Sequence, residues 1–464
     1  MKQLISVLAM FILMASGCKN QVIQTVVCEK PPMGFNSYDS YLVFLDQETA
    51  KKLIDKMAEE YKSFGYDCFT IDAGWYYEYE VDPLTKLPGF SPHNAAVPSN
   101  IDEYGLPEPS KVYFPDGIKA LADYAHKKGL KFGLHLMRGV FRQAVDEGCK
   151  IKGTDILLKD IVDTLHICSW SDLCYGVDMN KPGAYAYYES QVNKMAAWGV
   201  DFIKYDDITG FPEEVDAIVK AVKNCGREIV LSLSPGLDAK IEYLPCYSKA
   251  NMLRITDDVW DDQHSIDMSF IAMEKYQGRG VPGFWPDLDM IALGPLEVND
   301  PNSKIGPTMK GTRFSLFDEN QAQTFITQRA IFASPLMIGG DLLTMDGFTY
   351  KLLTNKDMIA CNQNGVTGFQ VYKQDSLEIY KAPLQNKVTE GWLAVFNRKC
   401  TEAKIALKKS DFGFYYPRPG LNELMPWKNY QLRDIWNSQE YILRDSVNFS
   451  IPAHGVVFVE YKEL

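Results

Sequence analysis

From about Pro31 onward one pattern recurs along the chain: an amphipathic stretch with helical spacing, a short glycine-containing turn, then a short apolar run that ends on a polar side chain. "ETAKKLIDKMAEEYKSFGYDCFTIDAGW" shows it first, with helical spacing from Ala50 to Phe64 and an apolar run closing at Asp72. "IKALADYAHKKGLKFGLHL" repeats it and ends at His135, "YYESQVNKMAAWGVDFIKYDD" at Asp206, and "EEVDAIVKAVKNCGREIVLSLS" at Ser234. "NMLRITDD" closes at Asp258 and "MSFIAMEKYQGRGVPGFWPDLD" at Asp289, while "AQTFITQRAIFASPLMIGG" supplies a further helix and strand. With "PPMGFNSY" as the opening strand, eight strands alternate with helices over residues 29–367. No glycine-rich dinucleotide turn follows the first strand, so the pattern predicts an α/β fold of the (β/α)8 TIM-barrel type rather than an open doubly wound sheet.

Two stretches break the rhythm. Residues 78–114 carry Pro83, Pro88, Pro92, Pro98, Pro107 and Pro109 with little periodicity. A loop of that length in a compact domain is usually functional, and this one follows strand two on the face where barrel enzymes build their sites. From about Gly368 the helices stop, and short alternating runs such as "FQVYKQ", "LEIYKA", "WLAVFN" and "GVVFVEYK" follow. Residues 368–464 thus read as a C-terminal antiparallel β-sandwich.

Composition narrows the partners. Hydrophobic residues make up 46% of the 464 and charged residues 23%, a globular balance. The formal charge of -12, with no Lys/Arg-rich run to offset it, argues against nucleic acid. Residues 1–18, "MKQLISVLAMFILMASGC", place Lys2 before an apolar run of signal-peptide length and small residues before Cys18. "ASGC" resembles a bacterial lipobox, so export and lipidation of Cys18 are expected, with membrane contact through that lipid in the periplasm or at the cell surface. No later stretch reaches the ~18 apolar residues of a membrane span. Ten cysteines without a CxxC fit neither a zinc site nor a dense disulfide framework.

The chemistry gathers at the strand ends. Residues two apart in a strand share a face, so Lys204 and Asp206 point one way and Tyr205 and Asp207 the other. The same spacing groups Arg254, Thr256 and Asp258, and Asp287 with Asp289. In a parallel barrel Asp72, Asp206, Asp258 and Asp289 converge on one mouth with Lys204 and Arg254. Singly, each acid is explained as a cap of the following helix; four together suit glycoside cleavage or a hard cation. The six histidines form no HxH or HExxH, and a lysine beside Asp206 favours the ionised carboxylate that a nucleophile requires, so glycoside chemistry without metal or cofactor is expected. Phe35, Tyr38, Trp75, Tyr76, Tyr77 and Trp285 are candidates to stack on sugar rings.

"PPMGFNSY", "TIDAGW", "WGVDFIKYDD", "LRITDD" and "WPDLDM", in this order and spacing, resemble glycoside hydrolase family 27, the melibiase or α-galactosidase family of clan D. "GFQVYKQDSLEIYKAPL" and "WLAVFNRK" resemble its C-terminal sandwich, so the likeness spans about residues 29–464. It implies a retaining exo-glycosidase for terminal α-galactosides of oligosaccharides or glycans, with Asp206 as nucleophile and Asp258 as acid/base. Asp72, Lys204, Arg254 and Asp289 match sugar-contacting positions, and Trp75, Tyr38, His135 and Ser234 are expected to line the same pocket. The family commonly reads Asp-Asp-Gly-Trp where this chain reads Asp72, Ala73, Gly74, Trp75, so one sugar-holding carboxylate is absent. His135 stands where Tyr is common, Tyr38 where Trp is common, and Ser234 near a frequent Glu. Ile208 replaces a cysteine often disulfide-bonded in the family, which leaves Cys174 free. These departures keep three related specificities open: α-N-acetylgalactosaminidase from Ser234, and β-L-arabinopyranosidase or α-glucan hydrolase from Ala73. A surface glycan-binding lipoprotein without turnover is the alternative of another class, and the intact Asp206 and Asp258 argue against it.

Overall fold

A computed structural model describes residues 27–78, 99–236, 238–299, 310–409 and 428–464. The expected signal with Cys18, and residues 79–98 of the proline-rich loop, lie outside the described residues.

Eight strands run β1 (Met33–Asn36), β2 (Cys68–Ile71), β3 (Lys131–Met137), β4 (Phe202–Asp206), β5 (Val230–Leu233), β6 (Met252–Arg254), β7 (Trp285–Asp287) and β8 (Leu336–Ile338). They form one parallel sheet in the order β7-β6-β5-β4-β3-β2-β1-β8. The sheet curls back on itself through a parallel bridge between Ile291 and Ile338. There the Ile291 N–H donates to the Met337 carbonyl at 2.8 Å and the Gly339 N–H donates to the Ile291 carbonyl at 3.1 Å. Strands covered on both faces need apolar residues at nearly every position, and β1, β2, β5 and β7 are buried throughout.

The helices between strands begin where short acceptors meet free backbone N–H groups. The Asp46 side chain accepts from the Thr49 N–H ahead of Gln47–Lys56, and Asp318 and Gln321 form a reciprocal capping box ahead of Glu319–Ile331. Inside the barrel, the period of two sorts each strand by height. Cys68, Phe202, Val230 and Met252, the first residues of β2, β4, β5 and β6, join Met337 in an apolar plug at the bottom. One step up the same faces come Thr70, Lys204, Ser232 and Arg254, and one further Asp206. Polarity therefore rises towards the C-terminal mouth, the face on which barrel sites are built.

The carboxyl-terminal unit has a six-stranded antiparallel sheet of β9 (Phe369–Gln374), β10 (Leu377–Leu384), β11 (Lys387–Asn397), β13 (Tyr430–Asp434), β14 (Glu440–Leu443) and β16 (Val456–Glu463). Opposite it lies the pair β12 (Ala403–Lys408) and β15 (Ser446–Ile451). Leu393 and Val395 of β11 face Leu407, Phe449 and Ile451 between the sheets, whereas Trp392, Ala394 and Phe396 face the barrel. Phe396 meets Phe270 edge to face at 5.0 Å, and the Trp436 indole N–H donates to Thr327 at 3.0 Å.

Candidate active site

A cavity of about 370 Å³ opens at the C-terminal mouth of the barrel. Its floor is a chain of charges. Lys204 Nζ donates to Asp72 Oδ2 at 2.9 Å, and Asn36 donates to the same oxygen at 2.7 Å. His135 Nε2 lies 3.2 Å from Asp206 Oδ2, while Asp206 Oδ1 accepts from the Asp207 N–H at 2.9 Å. Burial alone would raise the Asp206 pKa, but the His135 hydrogen bond and the nearby Lys204 and Arg254 charges prevail and hold the carboxyl well below the usual carboxylate range. Burial likewise works against charge on Lys204, and Asp72 and Asp206 more than compensate, so the ammonium is held charged.

The opposite wall begins where β6 ends. Arg254 Nη2 donates to Asp258 Oδ1 at 2.7 Å, and Nη1 lies 3.6 Å from Asp289 Oδ1. The Asp258 side chain is 62% exposed against 13% for Asp206, so one carboxylate stands at the rim and the other in the floor. Strand alternation does not place Asp258 or Asp289: β6 stops at Arg254, β7 at Asp287, and Asp289 takes φ 72°. Arg254 orients both acids instead. Beneath them burial, followed by repulsion from Asp289, pushes the Asp287 carboxyl up to about 7.

Behind the floor, Arg138 aligns the end of β4. Its Nε donates to the Asp207 carboxylate at 3.0 Å and carbonyl at 2.8 Å, its Nη1 to Glu214 at 2.8 Å, and its Nη2 to the His166 carbonyl at 2.8 Å. Asp207 thus faces this buried guanidinium at φ 59°, turned away from the cavity that Asp206 enters.

Of the positions singled out from sequence, Tyr38, His135, Lys204, Asp206, Arg254, Asp258 and Asp289 line the cavity, with Ala73 beside them. Asp72 is buried outside the cavity lining and acts through Lys204. Two expectations are corrected. Trp75 is 1% exposed, and its indole donates to the His135 carbonyl at 2.9 Å from behind, because the backbone turn at Gly74 (φ 97°) carries it into the helix layer. Ser234 lies under the floor in a pocket of about 20 Å³, because β5 ends at Leu233 and the chain turns at Pro235, which itself reaches the wall. Of the other aromatics, Tyr76 and Tyr77 line the cavity, whereas Phe35 packs on Phe69 at 5.4 Å and Trp285 donates to the Cys28 carbonyl at 2.9 Å. Cys174 is free, as are the other described cysteines.

The structure also brings in residues that patterning passed over: Asp39, Trp170, Trp260 and Met290. Several buried polar atoms on the wall, among them Asp39 Oδ2, His135 Nδ1, Arg254 Nε and Trp260 Nε1, have no hydrogen-bond partner among the described residues. Buried polar groups are ordinarily paired, so this concentration marks a surface built for a ligand rich in hydroxyl groups.

Residues 150–364 match the family model for alpha galactosidase A, and residues 374–461 that for the alpha galactosidase C-terminal beta sandwich domain. A β-L-arabinopyranosidase of glycoside hydrolase family 27 from Geobacillus stearothermophilus is 34% identical, with a TM-score of 0.83 over 94% of this chain and 96% of that one. The chain belongs to glycoside hydrolase family 27. A structure described as a putative α-N-acetylgalactosaminidase from Bacillus halodurans is 31% identical, with a TM-score of 0.78 over 93% of this chain and 97% of that one. The alpha-galactosidase A of Cellvibrio japonicus is 26% identical over 93% of this chain and 91% of its own. Family membership makes the protein a glycoside hydrolase, acting on an oligosaccharide or glycan, and the cavity is its candidate active site.

Proposed function

We propose that this family 27 hydrolase is a retaining exo-glycosidase for galacto-configured pyranosides, terminal α-galactosides in the first place. The observation that carries the reading is Asp206: a floor carboxylate kept ionised by His135, Lys204 and Arg254, in one cavity with a second, rim-exposed carboxylate. Asp206 attacks the anomeric carbon as Asp258 gives its proton to the leaving oxygen; Asp258 then takes a proton from water, which hydrolyses the glycosyl-enzyme. Lys204, Arg254 and Asp289 bind ring hydroxyls, and Asp72 orients Lys204.

Ala73 supports a second reading. An alanine at the wall offers no acceptor to a hydroxymethyl group, and β-L-arabinopyranose has the galacto ring arrangement without that group. The relative from Geobacillus stearothermophilus named for this sugar fits that reading. Measuring kcat/KM on nitrophenyl α-galactoside, α-N-acetylgalactosaminide, β-L-arabinopyranoside and α-glucoside decides between them. A galactosidase prefers the first, and Ala73→Asp then sharpens that preference by about ten- to hundredfold. An arabinopyranosidase prefers the third, and Ala73→Asp lowers it. Turnover of none of the four overturns both readings. We also propose export and lipid anchoring at Cys18, supported by the leader pattern alone.

A further inference from the structure

Asp39 is a carboxylic acid with no assigned task. It follows β1 in a short helical turn, Tyr38–Tyr41, is 1% exposed and lines the cavity, and its Oδ2 has no hydrogen-bond partner among the described residues. Its position is not accidental packing. A Cβ placed on Gly339, just past β8, would come within 2.0 Å of that oxygen, so a residue without a side chain is needed opposite it. The carbonyl of Asp39 accepts from the Glu297 N–H at 2.8 Å, which holds the turn on the arc of the mouth where β7, β8 and β1 meet. Met290 and Asp289 line the same arc.

We infer that Asp39 is a substrate-binding residue whose carboxyl hydrogen-bonds a hydroxyl of the bound glycoside. The inference rests on the galacto-configured reading above for the class of ligand. Leaving a buried oxygen unpaired costs the fold the desolvation of that group, and a ligand hydroxyl repays it on binding. Burial, with the nearby Asp289, opposes ionisation and favours the protonated carboxyl, which gives as well as accepts a hydrogen bond.

The test uses the whole chain with Asp39→Ala, Asp39→Leu and Asp39→Asn. Inhibition constants of D-galactose, L-arabinose, N-acetylgalactosamine and the 2-, 3-, 4- and 6-deoxygalactoses are measured on the best nitrophenyl substrate, and the melting temperature of each variant is recorded. Because Oδ2 has no partner among the described residues, Asp39→Ala and Asp39→Leu leave no described group newly orphaned and are expected to melt at or above wild type. They should weaken the intact sugars by about ten- to hundredfold and leave unchanged the one deoxy sugar that lacks the hydroxyl concerned. Asp39→Asn, which also gives and accepts, should stay within about threefold of wild type. Unchanged inhibition by every sugar in both apolar variants, with active wild type, overturns the assignment of Asp39 and leaves the galacto-configured reading standing. A wild type inhibited by none of the sugars overturns that reading and the assignment with it.

Discussion

Asp206 and Asp207 are neighbours in the chain with opposite surroundings, one in a cavity beside His135 and one against Arg138. Asp206→Gly is therefore expected to abolish turnover, and azide to restore activity on a nitrophenyl glycoside with a product of inverted anomeric configuration. Asp207→Gly should retain turnover at a reduced level, since Arg138 loses a partner, and gain nothing from azide; recovery in that variant would move the nucleophile one residue. Below them, the Asp287 carboxyl offers a pH signature. Its folded value of about 7 lies above the roughly 3.9 of an unfolded aspartate, so the stabilisation of its protonated form is complete below pH 4. That stabilisation is lost as pH rises towards 7, by up to about 1.4 kcal/mol per pH unit. Melting curves of wild type and Asp287→Asn across pH 4 to 8 should diverge, the wild type losing more stability with rising pH; parallel curves would refute it.

Between residue and fold, the end of β4 is held by an element that carries no chemistry of its own. Residues Arg138 to Val177 leave β3 and fold into a small three-stranded sheet of Val140–Phe141, Val162–Asp163 and Cys174–Val177. That excursion supplies Ser169, Trp170 and Ser171 to the cavity wall and the His166 carbonyl to Arg138. Arg138 stacks on Phe211 at 3.5 Å and joins the excursion to Asp207 and Glu214. Removing one partner of a buried charge network strands the others. Arg138→Met should thus cost about 3–5 kcal/mol in denaturant unfolding and lower kcat more than it raises KM, because it loosens the strand end that carries Asp206. A stability change below about 1 kcal/mol would show that the guanidinium is not what holds this end.

At the scale of the molecule, the sandwich shares the barrel's core: Trp392, Ala394, Phe396 and Phe458 pack with Phe270 and the helix Glu319–Ile331. Arg398 adds a tie to Asp267 at 3.0 Å. Among the described residues none of the sandwich lines the cavity; it packs on the outer helices Gln263–Tyr276 and Glu319–Ile331 of the barrel. The amino terminus sets a different whole-chain property. If Cys18 is the lipid attachment site, the wild-type chain expressed in a bacterial host should partition with membranes and take up labelled palmitate, and Cys18→Ala should lose both. Equal labelling of the two would exclude Cys18 as the anchor.

Local chemistry determined the alternation of helices and strands, the change of character near Gly368, and the inward row of Lys204 and Asp206. All three follow from periods of 3.6 and 2 that neighbouring residues impose on one another. Strand-end spacing brought Asp258 and Asp289 to the mouth, but both lie past their strands, and the buried Arg254 guanidinium decides where they point. Trp75 and Ser234 show the limit of family likeness: a motif position names a strand end, but a positive φ at Gly74 and a turn at Pro235 send these side chains out of the cavity. Asp39 could not be singled out from sequence at all. An acid within "NSYDSY" reads as a surface residue until the barrel closes β8 against β1 and sets Gly339 over it, because burial and the absence of a partner are properties of what packs around a group.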